Sequence, residues 1–165
     1  MGSDSDFPVL SETARVLESY GVAFDLRVCS AHRTPTEARE LAVNARRSGV
    51  KVIVAAAGMA AHLAGAMAAQ STLPVIGVPL EGGLPGGVDA LYSTVMMPGG
   101  VPVATMAVGK AGARNAGIFT VQILSLANPG LAQRLDEARI TMAQEVAAKN
   151  QTVQHRLAEL RREWK

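Results

Sequence analysis

The chain has a single cysteine, Cys29, among 165 residues. A lone thiol excludes an intramolecular disulfide framework and a cysteine-built structural zinc site. Aromatic residues make up only 4%, so the core has to be filled by aliphatic and small side chains. The three histidines show neither HxH nor HExxH spacing, and no metal site is expected. No GxxxxGK[ST] or GxGxxG follows a strand, which removes support for nucleoside triphosphate or dinucleotide binding. No long charge-free run with polar flanks reads as a membrane span. Asp4 and Asp6 in the first six residues do not fit a signal peptide, and a cytoplasmic setting is expected. Net charge is +2, from 16 basic and 14 acidic residues. So small an excess, with no clustered basic face, is no nucleic-acid signature.

Charge is also missing locally. Between Val52 and Gly109 only Glu81 and Asp89 are charged, in a stretch of 58 residues. Gly and Pro break this stretch too often for membrane helices, whose backbone polar groups would go unsatisfied in lipid. A parallel sheet buried on both faces accounts for part of it. A small domain has too little interior to hide it all, so burial against other subunits is expected as well. By contrast, Leu131–Lys165 carries seven basic and five acidic residues. It reads as a solvent-facing or partner-crossing C-terminal helix. One domain is expected, with its core over about 1–127 and a helical extension over about 128–165.

What remains is regular. Val9, Leu10, Thr13, Ala14 and Leu17 recur at helical spacing, and Gly21 stops that helix. Ala23–Cys29 alternates as a strand does. Thr34, Pro35 and Glu37 read as N-cap, first helical residue and capping-box partner of a helix reaching about Ser48. Val50–Ala56 is a strand, Ala60–Gln70 a helix of small residues and Pro74–Val78 a strand. A Gly/Pro-rich loop, a short helix from about Asp89, a strand Val101–Val108 and a helix Ala111–Ala127 follow. Asn128-Pro129 opens the last helix. Such alternation predicts an α/β fold: a three-layer α/β/α, flavodoxin-like, doubly wound parallel sheet with a long C-terminal helix. The chain opens on a strand-to-helix loop, Met1–Asp6, with no strand before it.

Sheets of this kind bind ligands beyond the carboxyl ends of their strands. Three loops are expected to converge there: Gly2–Asp6, Ser30–Pro35 and Ala57–His62. Each puts backbone N–H groups at a helix N-terminus, which favours an anion. Ser3, Ser5 and Ser30 add hydroxyls, Arg33 a fork suited to phosphate, and Asp6 an acceptor for a ribose diol. His32 is the candidate proton carrier. His62 reads as a structural residue at an apolar helix start, His155 as an exposed one, and Cys29 as packing. The residues themselves point to a small phosphorylated compound with a histidine beside its anchor, and to no particular reaction.

Five segments then carry a resemblance: GSDSD at Gly2–Asp6, SAHRTP at Ser30–Pro35, AAHLAG at Ala60–Gly65, GVDALYSTVMMPGGVPVATMAVG at Gly87–Gly109 and KAGARNAG at Lys110–Gly117. In this order they resemble the class I N5-carboxyaminoimidazole ribonucleotide mutases of purine biosynthesis, from Gly2 to about Leu126. The class II branch, which carboxylates aminoimidazole ribonucleotide directly with CO2, typically has AHK in place of AHR. The resemblance implies an isomerase that moves a carboxylate from the exocyclic nitrogen to C4 of the imidazole, without metal, nucleotide or organic cofactor. It implies His32 as the catalytic proton carrier. It implies substrate contacts at Ser3, Asp6, Ser30, Ala31, Arg33, Gly58 and Ala60, and a homo-octamer. A class II type carboxylase and a non-catalytic ribonucleotide-binding oligomer are the competing readings. The chain departs from the family in three places: Ala56 and Met59 stand at glycine positions and Ala64 at a proline. The apolar strand that usually precedes MGS is not in the sequence.

Overall fold

The computed structural model describes residues 1–164. They divide into two compact units, 1–124 and 125–164. In the first, helix α1 (Phe7–Ser19) is followed by α2 (Pro35–Ala45), β1 (Ile53–Gly58), α3 (Leu63–Gln70), β2 (Val75–Leu80), α4 (Val88–Val95), β3 (Ala104–Thr105) and most of α5 (Lys110–Ser125). The strands form a parallel sheet in the order β1-β2-β3, with Ile53 opposite Val75 and Ile76 opposite Ala104.

Alternation along the strands feeds two apolar layers. Ala55 and Val75 face Ala38 and Ala42 of α2 and Leu63, Ala64 and Met67 of α3. Ala56, Ile76 and Val78 face Leu10 of α1 and Ala113 and Ala116 of α5. Helices therefore cover both faces, and the α/β flavodoxin-like expectation holds. All six residues of β2 are buried; Ile76 and Val78 each contribute about 1.5–3 kcal/mol by leaving water.

Small residues set the spacing. A Cβ on Gly77 would collide with Thr94 Cγ2, so β2 packs α4 against its backbone. A Cβ on Gly117 would lie 2.8 Å from Val16 Cβ, bringing α5 onto α1. There the buried Thr13 hydroxyl donates to Ala113 O at 2.6 Å.

Three expectations need correction. Ala23–Cys29 forms no ladder strand in this structure. Its extended backbone is paired only at its end, where Met1 N donates to Arg27 O (2.9 Å) and Cys29 N donates to Met1 O (2.8 Å). A strand needs a partner on which to form its ladder, and alternation alone does not supply one. Thr34 stands at the N-cap of α2, with Pro35 first in the helix, but its side chain makes no cap bond. Its Oγ1 accepts from Ser30 N and donates to Ser30 O instead, closing the preceding loop. The Val101–Val108 strand is reduced to two ladder residues, although Met106 N and Gly109 N still reach Gly77 O and Pro79 O.

In the second unit, Asn128 caps α6 (Pro129–Glu163) by accepting from Leu131 N, as the Asn-Pro pair predicts. This helix of 35 residues has no buried side chain. No described helix is long and apolar enough to cross a membrane.

Candidate functional site

Three loops meet at the carboxyl edge of the sheet because short backbone bonds tie each to it. Gly2 N donates to Ala56 O at the end of β1, holding the first loop there. Cys29 N donates to Met1 O, which ties the second loop to the first. The third loop continues β1 directly. Gly58 closes β1 so near β2 that a Cβ would sit 3.2 Å from Leu80 O.

The first loop is a capping box. Ser3 N donates to Asp6 Oδ2 (2.9 Å), and the Ser3 hydroxyl accepts from Ser5 N and Ser5 Oγ. Ser3 Oγ in turn donates to Asp4 Oδ1 (3.0 Å). These bonds hold the loop's shape before any ligand arrives.

In the second loop, Ser30 Oγ accepts from Arg33 N at 3.1 Å. Its own hydroxyl hydrogen has no acceptor among the described residues and is free for a ligand oxygen. The Arg33 side chain is exposed and makes no ion pair among the described residues. Ala31 lies against the Cys29 cluster, which pins the middle of the loop. Cys29 itself is buried packing, as expected.

His32 and His62 are the main finding. His32 Nε2 lies 2.7 Å from His62 Nδ1, a hydrogen-bond distance. The rings stand nearly perpendicular, at 86°, with centroids 4.9 Å apart. One ring donates and the other accepts, according to tautomer. With Nε2 engaged, Nδ1 is the His32 ring nitrogen left for another partner. His62, expected to be structural, is brought against His32 by the connection from β1 to α3. Its position in the loop after β1, one residue before α3, was the available signal.

Met59 has a left-handed backbone, φ 56°, where a side chain is strained by roughly 1–2 kcal/mol. It is 60% exposed and overhangs the Gly82-Gly83 backbone, so the Glu81–Gly87 loop joins the rim of the site. That loop was not among the three expected to converge. Ala60 is exposed beside Met59. Among the described residues no group of three or more His, Cys, Asp or Glu could hold a metal. His155 belongs to α6, where it lies 3.4 Å from Glu159.

The arrangement can hold an anion at Ser30 and Arg33, accept from a sugar hydroxyl at Asp6, and move a proton through His32.

Residues 1–145 match the AIR carboxylase family. The chain is 51% identical to the N5-carboxyaminoimidazole ribonucleotide mutase of Bacillus subtilis over 88% of its length and 90% of that protein's. It is 46% identical to the mutase of the same name from Thermotoga maritima, over 93% of this chain and 89% of that one. The crystal structure of Treponema denticola PurE superposes with a TM-score of 0.76, over 88% of this chain and 90% of that one. At 23% identity the likeness is one of fold.

Proposed function

The chain belongs to the AIR carboxylase family, and we propose that it is the isomerase that converts N5-carboxyaminoimidazole ribonucleotide to 4-carboxy-5-aminoimidazole ribonucleotide in purine biosynthesis. Identity near one half to proteins carrying that mutase name, across most of both chains, is the observation that carries the reading.

The substrate phosphate sits against Ser30 and Arg33, through the free hydroxyl hydrogen and the guanidinium fork. Asp6 and Ser3 hold the ribose end. Ala31, Gly58 and Ala60 line the imidazole with small surfaces. The N–CO2⁻ bond breaks first, releasing CO2, and the exocyclic nitrogen takes a proton from His32. C4 of the electron-rich ring then attacks CO2, forming the C–C bond. His32 removes the C4 proton and the ring regains aromaticity. One proton moves from C4 to nitrogen overall, and His32 ends as it began. No electron leaves the substrate, so the scheme asks for no cofactor. CO2 is small, neutral and easily lost, so the rim around Met59 and Glu81–Gly87 serves to keep it beside C4.

The working form is a homo-oligomer, and an octamer is the assembly proposed; the site of action is the cytoplasm. Support for the assembly comes from α4 and the residue after it, which leave Val88, Tyr92, Val95 and Met96 exposed in a stretch with almost no charge.

The test is an assay with freshly made N5-carboxyaminoimidazole ribonucleotide, free of ATP, metal and bicarbonate. Formation of the C4-carboxylated product is expected. Turnover only from aminoimidazole ribonucleotide with saturating bicarbonate would replace isomerisation by direct carboxylation.

A further inference from the structure

Helix α6 carries a long apolar stripe. Leu131, Met142, Val153 and Trp164 recur every eleven residues. Leu135, Val146 and Leu157 stand four places after the first three of these, and Ala138, Lys149 and Leu160 seven places after. Eleven residues make close to three full turns, so all ten positions share one face of the helix. Nine of the ten are apolar. None is buried, and Val146 and Val153 are 64% and 59% exposed. The AIR carboxylase match ends at residue 145, before the second half of the stripe.

The stripe reads the same in both directions. Its gaps are four, three and four residues, three times over, symmetric about the point between Ala147 and Ala148. Turned end for end, a second copy therefore sets each stripe residue against another. Met142 meets Val153, Leu135 meets Leu160 and Val146 meets Lys149.

Charge selects this direction. Lys149 is the one charged residue of the stripe. In the reversed pair its stem covers Val146 of the other copy, and its ammonium reaches the adjacent Glu145. On the flank of the stripe, Glu137 of one copy comes within a turn of Arg156 of the other. A parallel pair in register would instead stack Lys149 on Lys149 and bring Arg156 of one copy beside Arg161 of the other. Like charges so placed oppose pairing.

We propose that α6 is a self-recognition helix, through which two copies of this chain pair antiparallel about a two-fold axis between Ala147 and Ala148. Such a contact is one self-complementary patch used by both copies, so every layer occurs twice. It uses no residue of α4 and none of the loops around His32.

The test mixes full-length single-substitution variants in a glutathione redox buffer and reads disulfide-linked dimers on non-reducing gels. Cys29 is buried, and the parent chain supplies its background. Met142→Cys mixed with Val153→Cys should cross-link at least tenfold faster than either variant alone, because only opposed cysteines come within disulfide reach. Met142→Cys mixed with Leu160→Cys should stay near background, since those positions lie seven residues, about 10 Å, out of level. All three positions are exposed, so the substitutions leave the fold in place. Cross-linking of Met142→Cys to itself would make the pair parallel and overturn the proposal. So would equal rates in all mixtures. No cross-link above background in any of them would also overturn it, and would give the stripe to a partner of another sequence.

Discussion

His32 and His62 stand edge to face, Nε2 to Nδ1 at 2.7 Å, although 30 residues separate them in the chain. The contact engages one His32 ring nitrogen. In the proposed mechanism it makes His62 a positioning residue for His32.

Replacing His32 by Asn keeps a polar side chain and removes proton transfer. Turnover should fall by about 10²–10⁴-fold while ribonucleotide binding stays within a few fold. Calorimetric titration beside the isomerase assay checks both. Near-normal turnover would remove His32 from the mechanism.

His62→Asn removes the hydrogen bond on His32 without touching the proposed phosphate anchor. A lost hydrogen bond of about 0.5–1.5 kcal/mol predicts a kcat lower by up to roughly tenfold, with KM little changed. A merely structural role would lower Tm and leave the kcat of the folded enzyme in place.

Arg33→Ala should weaken ribonucleotide binding by about 1.5–3 kcal/mol, the worth of a charged hydrogen bond. Loss of the phosphate from the ligand should then matter less in the variant than in the parent chain. Unchanged affinity would place the anchor elsewhere.

Met59→Gly relieves a left-handed backbone and gives up a side chain that is mostly exposed. A more flexible unfolded chain offsets part of the gain. The expected net change is a stabilisation of up to about 1 kcal/mol, read from denaturant midpoints. A clear loss of stability would mean that packing over Gly82 and Gly83 outweighs the strain.

Burial lowers the Met1 ammonium from its ordinary value of 8.0, against the opposing pull of Asp6 and Cys29. Just below pH 8 the unfolded chain therefore binds more protons than the folded one. Stability should rise with pH through that window and level off above it. N-terminal acetylation keeps the N–H that donates to Arg27 and removes the charge, so it should flatten the rise. An identical slope after acetylation would place its origin in another group.

The layered fold was legible because each helix and strand carries its own period, from Leu10 and Leu17 in α1 to Ile76 and Val78 in β2. The Ala23–Cys29 alternation was legible too, but ladder formation depends on a neighbouring strand that no local pattern reports. Thr34 has the sequence of a cap and bonds Ser30 instead, because a loop with two backbone groups to satisfy outcompetes the helix end. Within the site, the loops holding Ser3, Asp6, Ser30 and His32 were readable from their places between strand and helix. His62 was not, since its partner is set by tertiary closure and its apolar neighbours suggested only packing.

The clamp between α1 and α5 bears on the cost of binding. Thr13 donates to Ala113 O inside it, and Gly117 brings the two backbones together. The loop Gly2–Asp6 is thus fastened at both ends, by the Met1 and Gly2 bonds before it and by a helix that cannot shift alone after it. Holding such a loop costs conformational entropy of roughly 1–2 kcal/mol per residue, and folding has already met it. A ligand held as proposed at Ser3 and Asp6 meets side chains already in place and gives up little of its affinity to ordering them.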